Sequence, residues 1–238
     1  SQIPLLEDIN SYMFGHMGKQ LRPMLALLSS RVCAGSCSRN SILCAAASEM
    51  LHTATLLHDD VADGSRLRRG NPTVMALYSP AASVLVGDYW LSRAIRTIID
   101  DCGTPTISAF ATCLQELAQG EMFQMQKAAS GDTTESDYLT IISYKTASLF
   151  RTAMKSGAYS VNAAEKEVEA VDKYAYHLGL AFQIRDDILD YSPELKTGKP
   201  AGQDIKEHKI TLPLLGAMAN ATESECKRVL RKVAKGRK

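Results

Sequence analysis

The chain has 238 residues, 45% hydrophobic and 22% charged, an ordinary globular make-up with enough apolar material for one sizeable core. A net charge of +1 gives no electrostatic footprint for nucleic acid, and no run of about eighteen apolar residues is present to cross a membrane. The six cysteines (Cys33, Cys37, Cys44, Cys102, Cys113 and Cys226) include no CxxC pair and no signal peptide opens the sequence, so the expectation is a soluble cytoplasmic protein with reduced thiols. The sequence begins at Ser1 without Met and stops in the basic AKGRK, which reads as incomplete at both ends.

Helical periodicity dominates, and Pro and Gly punctuate the segments rather than interrupt them. Residues 1–15 predict a first helix closed by Gly15 and Gly18, and a second begins at 21–23 with Pro23 tolerated in its first turn. Long helices are predicted over 41–63 and 80–101, then over 106–129, 136–143, 146–161, 166–191 and 211–218, with a short one near 224–234. Loops are short except 64–73 and 192–209. No repeat at solenoid spacing and no low-complexity tract is present. The expectation is an all-α single domain over 1–238, built of about ten mostly antiparallel helices.

The stretch HTATLLHDDVADGSRLRRG, residues 52–70, carries Asp59, Asp60 and Asp63 as a DDxxD cluster, with Arg66, Arg68 and Arg69 just beyond. On a helix Asp59 and Asp63 stand at i and i+4, so their carboxylates share a face and repel unless a cation lies between them. All-oxygen donors select a hard cation, Mg²⁺ first, and Mg²⁺ is commonly completed by substrate phosphates, whose geometry the arginines match. Taken alone, such a motif is more often a solvated helix end with local salt bridges. A second copy, Asp186, Asp187 and Asp190 in FQIRDDILDY, changes that weighting. Gln183 shares its face, and it too ends a long apolar-periodic segment, 127 residues after the first. Two antiparallel helices would aim both clusters into one cavity around a metal-bound diphosphate.

Other residues are individually ambiguous. Lys19 and Arg22 flank a helix start, where the dipole favours anions. Lys145 and Thr146 join a cation to a hydroxyl after an expected helix break. His52 lies two turns before Asp59, and a lone His, like neighbouring His58, is more often a satisfied core residue. Trp90 and the Met122–Met125 stretch fit core or interface packing better than a cofactor box.

Seven motifs in order, GKQLRP (18–23), LHTATLLHDDVADGSRLRRG (51–70), GDYWLSRA (87–94), QGEMFQ (119–124), YKTASLF (144–150), GLAFQIRDDILDY (179–191) and TGKPAGQDIKEHKITLPLL (197–215), resemble the all-trans isoprenyl (polyprenyl) diphosphate synthases. The resemblance implies a helical bundle around a deep central cavity, the isoprenoid synthase fold, usually homodimeric. It implies 1′-4 condensation of isopentenyl diphosphate with an allylic diphosphate such as farnesyl diphosphate, with roughly three Mg²⁺ ions around the diphosphate. By motif position Asp59, Asp63 and Asp186 would be principal Mg²⁺ ligands, with Asp60, Asp187 and Asp190 oriented around them. Lys145, Lys199 and Arg68, with Lys209 near, would grip the allylic diphosphate. Lys19, Arg22, His52 and Arg69 would bind isopentenyl diphosphate, while Thr146 and Gln183 would line the reacting carbons. Gln20 stands where the family often has a basic residue, and Gly64-Ser65 replace a more usual acidic-polar pair. The sequence also ends soon after Lys209, where relatives have further helices.

Product length depends on where the growing tail meets bulk. The positions five and four before Asp59 are Ala54 and Thr55, small where the farnesyl type has aromatic residues, and Leu51 and Ser48 lie further down. The resemblance is strongest to long-chain synthases of the octaprenyl type that make quinone side chains, so a product of roughly thirty to fifty carbons, about forty as the single value, is expected from it and not from cavity size. A short-chain farnesyl or geranylgeranyl synthase differs only in cavity depth. A class I terpene cyclase would lack the second DDxxD and the second diphosphate site, and a non-catalytic partner subunit would typically have lost one cluster. The apolar faces of 80–97 and 106–125 fit either a dimer interface or a core, and an insoluble product would bring transient membrane contact.

Overall fold

A computed structural model describes residues 3–191 and 202–235, and almost all of them are helical, as the periodicity predicts. The chain divides into two compact units, one of residues 1–110 with 152–172, the other of 111–151 with 173–238.

In the first unit, α1 (Pro4–Gly15) and α5 (Pro80–Asp101) each begin with proline in the first turn, where the missing N–H costs nothing. Helix α2 (Leu21–Ala34) ends at Gly35, whose φ of 73° is the left-handed cap that glycine adopts freely. Helix α3 (Arg39–Ala62) opens with a reciprocal capping box between Ser38 and Ser41. Between α3 and α5 the expected loop holds a two-residue ribbon, β1 (Leu67–Arg68) antiparallel to β2 (Asn71–Pro72), and a single turn, α4 (Val74–Leu77). Arg69 and Gly70 close the ribbon with φ of 51° and 80°, the doubly positive pattern of a type I′ hairpin turn. Ile9, Leu57, Val74 and Val86 form one buried cluster, joined by Trp90, whose indole N–H donates to Asn10 Oδ1 at 3.0 Å. Trp90 is thus a packing residue.

The α2–α3 packing is close because its residues are small. Ala26, Ala45 and Ala153 share a cluster, and an added Cβ on Gly157 would lie 2.1 Å from the Ala26 carbonyl oxygen. Buried hydroxyls fill the seam: Ser29 donates to the Met154 carbonyl at 2.7 Å and Ser30 to the Gly157 carbonyl at 2.8 Å. Ser41 and Ser160 hydroxyls meet at 2.7 Å. Cys44 and Cys102 sulfurs lie 3.6 Å apart, and the cysteines are free thiols as expected.

Helix α6 (Thr104–Ser130) and α9 (Glu165–Asp190) each pass from the first unit's residues to the second's. In the second unit α7 (Glu135–Ile142) does not break before Lys145, contrary to the sequence expectation. It continues through a π-helical turn, Ser143–Ala147, into α8 (Ser148–Tyr159). Two glycines leave room for that wider turn: a Cβ on Gly120 of α6 would lie 2.8 Å from Tyr144 Cβ, and one on Gly179 of α9 would lie 2.5 Å from Ala147 Cα. The short α10 (Gln203–Lys206), α11 (Leu212–Ala219) and α12 (Glu223–Val233) complete the unit around Ile210, Leu214 and Val233. Met122 and Met125 are 71% and 62% exposed, which removes the core half of the reading made for them.

Two glycines test this packing. Gly157→Ala should destabilise the protein by about 2 kcal/mol in urea unfolding, because backbone must move. Gly216→Ala on α11, where nothing lies within 4 Å of the added Cβ, should stabilise by about 0.5–1 kcal/mol. Equal effects at the two positions would contradict the account.

Candidate active site

Both acidic clusters sit at helix C-termini. Asp59 and Asp60 lie in the last turn of α3 and Asp63 is its C-cap residue, while Asp186, Asp187 and Asp190 close α9. The macrodipole is negative there, so each carboxylate is opposed by about 0.3–1 kcal/mol, before any repulsion between them. Such placement is sustained by partners, and the structure supplies different ones for different residues.

In the first unit, Arg68 Nε and Nη2 both donate to Asp60 Oδ1, at 2.9 and 2.8 Å, from the ribbon that follows α3. Burial raises the Asp60 carboxyl above its usual range, and Arg68 opposes that rise. His58 sits in a slot above Gly87, its Nε2 3.3 Å from both the Val84 carbonyl and Asp88 Oδ1. One turn and a half upstream, half-buried His52 has its pKa driven well below the usual value by desolvation and by the charges of Arg22, Arg69 and Arg68, which keeps it neutral. The fields of three guanidiniums meet at this imidazole, and burial raises the neighbouring Glu49 carboxyl while Arg22 and Arg69 oppose that rise. Gly18 belongs to this locus: a Cβ there would lie 2.2 Å from Arg69 Nη1, so the glycine is the floor on which that guanidinium rests. Lys19 is exposed just before α2, whose N-cap Gln20 has φ of 50°. Ala54 and Leu51 are both 1% exposed on α3, and the Thr55 hydroxyl donates back to the His52 carbonyl at 2.8 Å.

In the second unit a cavity is lined by Lys145, Thr146, Gln183, Asp187, Asp204 and Lys209 among others. The π turn directs Lys145 to Glu121 and to Gln124 Oε1, at 3.1 Å from the latter, both on α6. Thr146 donates to Gln183 Oε1 at 2.7 Å, Gln183 Nε2 donates to Asp187 Oδ1 at 2.7 Å, and the Tyr138 hydroxyl donates to Asp187 Oδ2 at 2.6 Å. Asp190 accepts from the backbone N–H groups of Gln203 and Asp204 at 3.0 and 3.1 Å, anchoring the start of α10. Lys209 Nζ meets Glu207 Oε2 at 2.5 Å. Asp204 is pushed up to about 7 by burial and by the Asp187 and Asp190 charges. Lys199 lies outside the described residues.

The structure therefore places Lys19, Arg22, His52, Arg68 and Arg69 in one unit and Lys145, Thr146, Gln183 and Lys209 in the other, with one acidic cluster in each. Sequence reasoning missed Tyr138, Gly18 and Asp204. Tyr138 has no local signal, since its partner is 49 residues away, whereas Asp204 stands inside the GQDIKEHK segment and was visible there. Among the described residues no three His, Cys, Asp or Glu side chains converge tightly enough to hold a metal by themselves. The donors nonetheless fit a hard cation of the Mg²⁺ type, which takes one or two carboxylates and completes its shell with phosphate oxygens and water.

The profile of the polyprenyl synthetase family matches residues 3–238. The chain is 40% identical over 237 residues to an all-trans-nonaprenyl-diphosphate synthase (geranyl-diphosphate specific) of Rhodobacter capsulatus, covering 99% of this chain and 73% of that protein. It is 35% identical over 237 residues to octaprenyl diphosphate synthase of Escherichia coli, again covering 99% and 73%. Its fold superimposes on the crystal structure of a decaprenyl diphosphate synthase from Rhodobacter capsulatus with a TM-score of 0.89 at 36% identity, covering 99% of this chain and 78% of that one. End-to-end sequence similarity and a shared fold give one conclusion: the chain belongs to the polyprenyl synthetase family.

Proposed function

We propose that this trans-prenyltransferase condenses isopentenyl diphosphate with an allylic diphosphate, head to tail, and repeats the step to build an all-trans polyprenyl diphosphate of about forty carbons. The observation that carries the reading is the positive field that Arg22, Arg68 and Arg69 set up at half-buried His52: like charges gathered in this way are stabilised by an anion of high charge density. Lys19 and Arg69 join Arg22 and His52 in holding isopentenyl diphosphate. Lys145, Lys209, Lys199 and Arg68 hold the allylic diphosphate, with Lys145 exchanging its Glu121 partner for phosphate oxygens.

Bound Mg²⁺ supplies Lewis-acid neutralisation of the diphosphate, with Asp59, Asp63 and Asp186 as its principal ligands and Asp60, Asp187 and Asp190 oriented around them. The lysines and arginines stabilise negative charge as it develops on the departing diphosphate when the allylic C–O bond breaks. Thr146 and Gln183 turn oxygen lone pairs toward the allylic cation. The double bond of isopentenyl diphosphate attacks that cation, and the proton shed from the new intermediate passes to the released diphosphate. Helical walls exclude water, which would otherwise quench the cation.

We read the chain as a single synthase domain on which a second copy of the chain docks. Leu85 and Ile99 of α5, 67% and 55% exposed, support such an interface. No described helix is long and apolar enough to cross a membrane; an insoluble polyprenyl product supports transient contact with a bilayer during its release. Ala54, Thr55 and Leu51 set the depth to which the tail grows.

The direct test is to incubate the protein with Mg²⁺, isopentenyl diphosphate and farnesyl diphosphate and to size the dephosphorylated products. A ladder ending near forty carbons is expected, and products stopping at about fifteen to twenty would replace the long-chain reading by the short-chain one. Ala54→Phe should shorten the products to about fifteen to twenty carbons, and an unchanged profile would remove Ala54 from the floor. Gly18→Ala should displace Arg69 with little loss of stability and raise KM for isopentenyl diphosphate about tenfold, with kcat nearly unchanged; an unaltered KM would separate Arg69 from that substrate.

The buried carboxyls give a pH signature. Asp204, held at about 7 against an ordinary 3.8, binds its proton more tightly in the folded chain. Its contribution to stability is fully present below 3.8 and is lost as pH rises through about 7. Without metal, stability should therefore fall by about 1 kcal/mol per pH unit between pH 5 and 7, and Asp204→Asn should flatten that slope. An identical slope in the variant would place the titration elsewhere.

A further inference from the structure

We propose that Tyr138 and Asp187 are positioning residues that fix the direction of the Gln183 amide, and through it the direction in which Thr146 presents its oxygen. The inference rests on the reading of Thr146 and Gln183 as groups beside the reacting carbons, and it assigns a role to a tyrosine that no motif marks.

The argument is one of donor and acceptor types. An ionised carboxylate only accepts hydrogen bonds. Gln183 stands four residues before Asp187 on α9, so its side chain reaches Asp187 Oδ1 and must offer its NH₂ there, at 2.7 Å. That choice turns Gln183 Oε1 the other way, where it accepts from the Thr146 hydroxyl at 2.7 Å. Thr146 has then spent its only proton, and its oxygen lone pairs are what remain to face a substrate. Reversing the amide would leave the Thr146 hydroxyl able to accept from the NH₂ but would set a carbonyl against a carboxylate, and that repulsion leaves the chain one favourable polarity.

Tyr138 secures the far end. Its hydroxyl donates to Asp187 Oδ2 at 2.6 Å, and both residues are buried, at 3% and 5% exposure. A phenol is protonated at neutral pH and so donates, and the Tyr138 and Gln183 hydrogen bonds fall on the two different oxygens of Asp187. Each Asp187 oxygen thus has a side-chain donor, and the carboxylate is pinned from both sides. Tyr138 is on α7, which continues through the π turn into Thr146, so the chain of hydrogen bonds closes on the helix from which it starts. For a transition state with positive charge on carbon, a fixed row of oxygens is worth more than a freely turning amide, because no reorganisation is needed as charge forms.

The test compares wild type, Tyr138→Phe and Asp187→Asn in steady-state condensation, with circular dichroism and thermal melting of each. Wild-type turnover establishes the underlying reaction, and its absence would strike the prenyltransferase reading itself. With wild type active, Tyr138→Phe is expected to keep its fold, hold KM for both diphosphates within about threefold and lose about 100-fold in kcat. Asp187→Asn, nearly isosteric but able to present either face of an amide, should lose kcat by at least as much. A lowered melting temperature with kcat within twofold of wild type in the folded Tyr138→Phe protein would overturn the proposal. So would failure of both variants to fold, since the pair would then be an element of the scaffold alone.

Discussion

Carboxylates gathered at the negative end of a helix dipole are the constraint from which most of this structure follows. Three close α3 and three close α9, where the dipole opposes all of them and burial opposes Asp60 and Asp187 as well. The surrounding elements answer that cost one residue at a time. The ribbon after α3 brings the Arg68 fork onto Asp60, α7 brings the Tyr138 hydroxyl onto Asp187, and the α10 backbone caps Asp190.

The positive groups obey the complementary rule. Arg22, Arg68 and Arg69 direct their charge at a neutral imidazole, and Gly18 gives up its side chain so that the Arg69 guanidinium can lie against the backbone. In the other unit Gly120 and Gly179 do the same for a π turn that carries Lys145 and Thr146. Small residues here are a means of bringing charge and backbone closer than a Cβ allows. The same economy of size packs α2 on α3 with alanines, serines and Gly157.

Much of this was legible in the sequence because it is encoded locally. The i, i+4 spacing of Asp59 and Asp63, the repeated DDxxD and the Pro and Gly punctuation predict the long helices and the acidic clusters on them. What escaped depends on distant partners. The π turn replaces an expected break because Gly120 and Gly179, far along the chain, admit its wider backbone. The ribbon in 67–72 escaped because its turn uses Arg69 at positive φ, a residue that carries no turn signal. Tyr138 escaped because nothing within its own helix points to Asp187. The basic residues were assigned by resemblance to the family, whereas the electrostatic reason for their crowding is seen only in three dimensions.

The central claim is that the acidic and basic groups are held in an arrangement that only a metal and a diphosphate together relieve. Thermal unfolding of the protein with Mg²⁺ alone, with inorganic diphosphate alone and with both tests it most directly. The account predicts that the pair raises Tm by clearly more than the sum of the separate shifts. Additive shifts, or no shift with both present, would contradict it.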